Sequence, residues 1–221
     1  MKLLIHLWLL LFPPKCVLCG RVLEKQETDL CHSCRCDTPE FPRSNLKLPY
    51  LAHWFALWYY EGTVRGSILR FKFHGQRSYA ETYGRLLAMK LLSDGTDFDI
   101  LTWVPISRQR KWKRGYDQVQ LIAEAVGREL GITPVSTLIK IRNNRPQSRL
   151  GKAAQRRANV LGAYKVADGV SVKGKKILLL DDILTTGATA GECARMLLTA
   201  GAKEVSCAAV AAASHHEKTS R

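Results

Sequence analysis

The sequence predicts an α/β fold with a mostly parallel sheet flanked by helices, preceded by a small cysteine-rich module. Three observations carry this expectation. Continuous apolar runs at 100–104, 177–180 and 205–213 read as strands buried on both faces, as strands of parallel sheets are. Segments with apolar residues at helical spacing alternate with these runs, the pattern of a sheet covered by helices. Two Cys-x2-Cys pairs lie ahead of the first strand.

Taken in order, Leu3–Phe12 is an apolar run with one His, after Lys2. It is shorter than the roughly 20 apolar residues a membrane-spanning helix needs. Pro13, Pro14 and Lys15 follow without a small-residue cleavage site, which argues against a signal peptide. A short helix packed on the domain is expected; peripheral membrane contact through residues 1–12 is the alternative. Residues 41–50 are bracketed by prolines and read as a linker. The expected division is therefore 1–40 for the N-terminal segment and cysteine module, 41–50 for the linker, and 51–221 for the α/β domain.

Within that domain, His53–Tyr60 is aromatic-rich and strand-like. Thr63–Phe73 and Tyr79–Leu92 read as helices. Ile100–Val104 is a strand ended by Pro105. Gln118–Leu130 carries Val119, Ile122, Ala123, Val126 and Leu130 at helical spacing, with Gly131 as its stop. Val135–Ile141 reads as a strand and Asn143–Asn159 as a polar, basic loop. Ile177–Leu180 is a strand, Gly187–Thr199 a helix, and Val205–Ala213 the last strand.

The 221 residues are 46% apolar and 24% charged, which excludes general disorder and a multi-span membrane protein. Thirty-four Lys and Arg against 19 Asp and Glu leave a net charge of +15. So basic a chain attracts polyanions: nucleic acid, phosphorylated metabolites or anionic lipid. Five of the seven cysteines lie between Cys16 and Cys36, an arrangement unlike a secreted disulfide framework and consistent with a reducing cytoplasm.

Cys16 and Cys19, with Cys31 and Cys34, form two Cys-x2-Cys turns separated by 11 residues. Two such turns complete a tetrahedral four-thiolate shell, the arrangement of structural Zn2+, with no open position for catalysis. Gly20 suits the tight turn after the second thiolate. Cys36 and His32 are spare donors expected to stay outside the shell.

The segment Ile177-Leu-Leu-Leu-Asp-Asp-Ile-Leu-Thr-Thr-Gly-Ala-Thr189 is the most informative. A buried strand delivers Asp181 and Asp182 to its carboxyl end, and a Thr/Gly loop then opens a helix. Helix N-termini bind phosphate because their first amides lack partners and carry partial positive charge. Gly187 allows close backbone approach; Thr185, Thr186 and Thr189 add hydroxyls; Ala188 adds an amide. The segment is neither a Walker A loop nor Gly-x-Gly-x-x-Gly. Acids beside a phosphate loop call for a ligand with hydroxyls beside its phosphate, such as a ribose 5-phosphate.

Position by position, residues 177–189 resemble the phosphoribosyl pyrophosphate (PRPP) signature of type I phosphoribosyltransferases. The resemblance implies a pyrophosphate loop after the earlier strand, at Pro105, Ile106, Ser107 and Arg108, holding the diphosphate with Mg2+. It also implies a basic loop, 143–159, closing over PRPP. The whole chain resembles the ComF family, which includes ComFC-type competence proteins and GntX-like proteins. The shared pieces are Tyr60-Glu-Gly-Thr-Val-Arg65 leading to Leu69-Arg-Phe-Lys-Phe-His-Gly75, Lys113-Arg-Gly-Tyr-Asp-Gln118, and Arg145-Pro-Gln-Ser-Arg-Leu150 with Arg156-Arg-Ala-Asn159. The family usually carries Phe and Asn where Tyr116 and Asp117 stand, and Thr at Arg145. These departures are expected near a mobile or partner-facing surface.

Thirteen Lys and Arg against three acids lie between Arg108 and Arg157, a net +10 in 50 residues. With Trp103, Trp112 and Tyr116 nearby, this suits single-stranded nucleic acid, whose backbone follows cations and whose bases stack on rings. Arg110, Lys111, Trp112, Lys113 and Arg114 are the expected contacts.

Three functions fit. The first is a cytoplasmic competence factor handling incoming single-stranded DNA, with PRPP as ligand and, by resemblance, DNA-uptake helicase or channel proteins as partners. The second is a phosphoribosyltransferase of nucleotide or amine metabolism; the third is a non-catalytic PRPP sensor. No residue is assigned a catalytic role: His53 and His74 lie upstream and are expected to be structural.

Overall fold

The computed structural model describes residues 13–42, 46–142 and 158–213. A short helix α1 (His32–Asp37) closes the cysteine module. Strand β1 (Trp54–Tyr59) is followed by helices α2 (Gly62–Phe73) and α3 (Tyr79–Ser93). Strand β2 (Ile100–Trp103) leads to α4 (Arg108–Arg114) and α5 (Gln118–Leu130). Strands β3 (Leu138–Lys140) and β4 (Tyr164–Val166) pair antiparallel. Strand β5 (Lys176–Leu184), helix α6 (Ala188–Thr199) and strand β6 (Glu204–Ala212) complete the fold.

The main sheet is parallel, in the order β1-β6-β5-β2. Its central strands are apolar from Ile177 to Leu180 and from Cys207 to Ala212 because both faces are covered. Side chains alternate along a strand, so β5 divides its residues between two cores. Leu178 and Leu180 join Ala208 and Val210 beneath α2, α3 and α5. Ile177 and Leu179 join Cys207 and Ala209 beneath α6 and the β3–β4 pair. Helices α3 and α5 touch backbone to backbone at Gly84, where a Cβ would fall 2.3 Å from that of Ala125.

The cysteine module does not stand apart. Leu18, Leu23 and Leu30 are buried in the same core as Ile68 and Phe71 of α2 and Tyr83 and Leu87 of α3. Ser67 Oγ donates to the Val17 carbonyl and Arg70 Nη2 to the Leu18 carbonyl. Arg85 of α3 forms a two-pronged contact with Asp29 at 2.6 and 3.0 Å. A module with so few apolar residues closes its core only by sharing a larger one.

Nor are the described residues of 41–50 a loose connection. The Phe41 amide donates to the Leu57 carbonyl of β1 at 2.9 Å, and its ring packs on Trp54 and Tyr59. Leu48 is buried against the loop that opens α6. The expected linker is thus part of the packing.

Most boundaries fall within two residues of the sequence reading. Helix α4, strands β3 and β4, and the end of β5, which runs to Leu184 rather than Leu180, are the differences. Helix α4 lies in a cationic run without an apolar face; Ser107 caps its start, accepting from the Arg110 amide, and Gly115 ends it at a φ of 80°. Strand β3 spans 138–140 rather than 135–141, and residues 143–157, which include most of the expected basic loop, lie outside the described residues, as do residues 1–12. Among the described residues no helix is long and apolar enough to cross a membrane.

Candidate functional site

The pairing of β2 with β5 ends at Trp103–Leu180, after which the Val104 amide donates to the Leu180 carbonyl at 2.9 Å. Pro105, which has no amide to offer the ladder, then turns the chain away. Beyond this point β5 runs on to Leu184 with only β6 beside it in the main sheet. The chain leaves β2 toward β3 and leaves β5 toward β6. The strands therefore part at a topological switch point, and a crevice opens at their carboxyl ends, where open α/β sheets take ligands.

The phosphate-type loop sits at this edge. Asp181, Thr185, Gly187, Ala188 and Thr189 line one hollow there. Gly187 is the N-cap of α6, with a φ of 68° and no side-chain cap over the first amides. A Cβ at Gly187 would meet Leu48 at 2.8 Å, so a side chain there would be both strained and crowded. Thr186 Oγ1 is buried without a hydrogen-bond partner among the described residues. An unpaired buried hydroxyl beside uncapped helix amides fits an anionic ligand that supplies the missing acceptor.

The two acids lie inside β5 rather than beyond it, and the pleat sends them to opposite faces. Asp182 points to the α2 and α5 side. Its Oδ1 lies 2.8 Å from Lys72 Nζ, and its Oδ2 accepts from Gln118 Nε2 at 2.7 Å. Asp181 points to the α6 side and accepts the Asp182 amide at 2.8 Å. Burial, and then the Asp182 charge, push the Asp181 carboxyl up to about 8. Lys140 of β3, donating to Tyr164 Oη at 3.0 Å, is lowered to about 8 by burial and by Arg110.

The expected pyrophosphate loop, Pro105 to Arg108, is anchored from below by Asp117. Its Oδ2 accepts the Ile106 amide at 3.1 Å, while Oδ1 accepts Val119 and Gln120 at 3.0 and 3.2 Å. One carboxylate thus caps α5 and holds the loop. Burial raises its pKa, with the three amides opposing. Tyr116 is also buried: its ring lies on Phe71, and its hydroxyl donates to the Phe71 carbonyl. The departures at 116 and 117 are therefore interior, not surface, features, because the turn after α4 drives both side chains under the loop.

Helix α4 divides the expected nucleic-acid residues. Lys111, Trp112 and Lys113 face solvent, with Trp112 88% exposed. Arg114 turns back: it donates to Gln118 Oε1, and its guanidinium stacks 5.3 Å from the ring of Phe73. Arg110 is half-buried. Lys72, Gln118 and Lys140 were not singled out as site residues in the sequence. Lys72 and Gln118 sit within the motifs Phe71-Lys-Phe-His-Gly75 and Arg114-Gly-Tyr-Asp-Gln118, which was the available signal.

In the cysteine module the four sulfurs of Cys16, Cys19, Cys31 and Cys34 lie within 4.8 Å of one another. Gly20 turns the first pair at a φ of 80°, and Cys31 caps α1, accepting from the Cys34 amide at 3.5 Å. His32 and Cys36 contact each other at 3.8 Å, outside the cluster. The donor set fits structural zinc held by thiolates alone.

Residues 121–221 match the phosphoribosyl transferase domain family. The chain is 25% identical over 214 residues to Competence protein F of Haemophilus influenzae, covering 86% of this chain and 93% of that one. It is 28% identical over 200 residues to DNA utilization protein YhgH of Salmonella typhimurium, covering 86% of each. It is 31% identical over 153 residues to Competence protein ComFC of Streptococcus pneumoniae, covering 68% of this chain and 64% of that one.

Metal analysis of chain purified without chelator is expected to find about one zinc per molecule, the stoichiometry of one four-thiolate shell. Cys16→Ser should loosen α2 as well as the module, seen as faster amide exchange over both.

Asp181 gives a pH signature. Its folded carboxyl holds a proton more tightly than the unfolded one, so acid favours the native state and stability falls as pH rises from about 4 toward about 8. Asp181→Asn should flatten that fall in denaturation midpoints measured across the range; an unchanged slope would refute the assignment.

Proposed function

The chain is a phosphoribosyltransferase-like protein of the ComF family, and we propose that it binds Mg-PRPP at the carboxyl edge of β5 while handling incoming single-stranded DNA in the cytoplasm during DNA uptake. The observation that carries the ligand reading is the unpaired Thr186 hydroxyl beside the uncapped start of α6, with two carboxylates one strand-end away. The loop 185–189 takes the 5-phosphate. Asp181 and Asp182 face the ribose and its hydroxyls, and residues 105–108 take the diphosphate. Mg2+ would be held beside Asp181 and Asp182 and would supply a hard cation that offsets the diphosphate charge. The DNA role rests on the names of the relatives and on the exposed face of α4, where Lys111 and Lys113 flank a solvent-facing Trp112. Uptake helicase or channel proteins are the proposed partners.

Catalytic phosphoribosyl transfer is the second reading. Its support is Asp181, a carboxyl in the crevice whose raised proton affinity suits acid–base work near neutral pH. Isotopic PRPP consumption, measured with and without single-stranded DNA, separates turnover from binding.

Replacing Asp181 and Asp182 together by Asn should weaken PRPP binding by about 2–4 kcal/mol, the value of one charge-assisted and one neutral hydrogen bond. Equal calorimetric affinity for wild type and double variant would remove the site from consideration.

Oligonucleotide binding should weaken with salt, by about 0.7 in log–log slope per neutralised phosphate. Neutralising Lys111 and Lys113 is expected to flatten the slope by about 1.4 and to leave PRPP affinity unchanged. Arg114 is unsuited to this test because it is tied to Gln118 at the acid cluster. Trp112→Ala should cost about 1–3 kcal/mol with the slope retained. Salt-independent binding, or none at low ionic strength, would count against the DNA role.

A further inference from the structure

Asp182 is held by two side chains from distant parts of the chain. Lys72, at the end of α2, is 110 residues away, and Gln118, at the start of α5, is 64 residues away. Each takes a different carboxylate oxygen, and all three side chains are withdrawn from solvent: the ion pair is 17% and 8% exposed, and Gln118 is buried. Arg114 continues the chain of contacts by donating to the Gln118 amide oxygen, which directs the Gln118 NH2 at Asp182.

A buried ion pair is an expensive way to join two helices to a strand. Apolar residues of similar volume do the same with less desolvation, and Phe71 of α2 and Val119 and Ile122 of α5 already do so in the core alongside. What the ion pair adds, with Gln118, is a carboxylate held by one donor on each oxygen at the carboxyl end of β5. With one donor on each oxygen, the carboxylate keeps one further acceptor position on each. Two parallel acceptor positions are what a vicinal diol requires.

We propose that Lys72 and Gln118 are positioning residues that hold the Asp182 carboxylate oriented toward the 2- and 3-hydroxyls of the bound ribose. This rests on the PRPP reading of the same crevice. The division of labour follows from the pleat. Asp182, facing α2 and α5, is the fixed acceptor for the diol. Asp181, facing α6, has Lys140 and Lys72 only in coulombic range, and burial outweighs them. Specificity for a ribosyl phosphate over a bare phosphate then lies with Lys72 and Gln118, neither of which belongs to the loop that takes the phosphate.

The test is calorimetric titration of the full chain with three probes: Mg-PRPP, ribose 5-phosphate and inorganic phosphate. Lys72→Met is expected to weaken the two ribosyl ligands about tenfold or more, the scale of one lost charge-assisted contact, and to leave inorganic phosphate within about twofold. Lys72→Arg should recover most of the loss. A contact that only packs α2 would not be restored by the cation of Lys72→Arg and would not separate the ribosyl ligands from inorganic phosphate. Gln118→Leu, which keeps the ion pair, should show a smaller loss with the same selectivity and serves if Lys72→Met does not fold. Equal losses for all three probes, or no loss for the ribosyl ligands, overturn the positioning role alone. Wild-type chain that binds neither PRPP nor ribose 5-phosphate overturns the PRPP reading and this role with it.

Discussion

The structure depends on one buried strand having to accommodate two adjacent carboxylates. Strand β5 is covered on both faces, so each of its side chains must find a place in one of two separate cores. Apolar residues meet that demand as far as Leu180. At Asp181 and Asp182 the demand becomes electrostatic, and the two faces answer it differently. The α2–α5 face supplies a lysine and a glutamine, one donor to each oxygen of Asp182. On the α6 face burial and the neighbouring Asp182 charge favour a proton on Asp181, outweighing the Asp182 amide that donates to it. Two chemically identical residues thereby acquire different characters from the pleat alone.

Helix α2 is the element through which this constraint reaches the rest of the molecule. Ser67 and Arg70 grip the carbonyls of Val17 and Leu18 in the first cysteine turn, while Lys72, half a turn further on, grips Asp182. The cysteine module and the ligand edge are therefore attached to the same helix. A metal that closes the four-thiolate cluster would steady those carbonyls, and through them the helix that presents Lys72. This gives the module a physical role in a domain whose own sheet is already covered on both faces.

A similar economy holds on the other side of the crevice. Asp117 uses one carboxylate to cap α5 and to hold the Ile106 amide, so the loop after β2 is set by the helix that also presents Gln118. Helix α4 lies between loop and cap. Its outer face carries Lys111, Trp112 and Lys113 to solvent, whereas Arg114 returns to the acid cluster. A helix only 7 residues long thus presents cations outward and contributes one inward. The crevice at the end of β5 and the exposed cationic face of α4 are neighbours without being the same surface.

Much of this was legible in the residues themselves. Apolar runs of strand length, helical periodicity with glycine stops, four cysteines at knuckle spacing, and two acids ahead of a Thr/Gly loop are local patterns, and local patterns survive in a sequence. They determined the fold class, the likeness to a PRPP-binding family, the four-thiolate cluster and the edge at which a ligand would sit. Tertiary structure alone decided what depends on contacts between distant segments. Lys72 and Gln118 converge on Asp182 from 110 and 64 residues away. Tyr116 and Asp117 turn inward although they follow an exposed cationic run, and the stretch that reads as a linker packs Leu48 against Gly187. The physical reason is that burial and charge pairing are properties of the assembled cores: the same lysine on a free helix would be a solvated cation, and only the closing of α2 and α5 over β5 makes it the partner of a carboxylate.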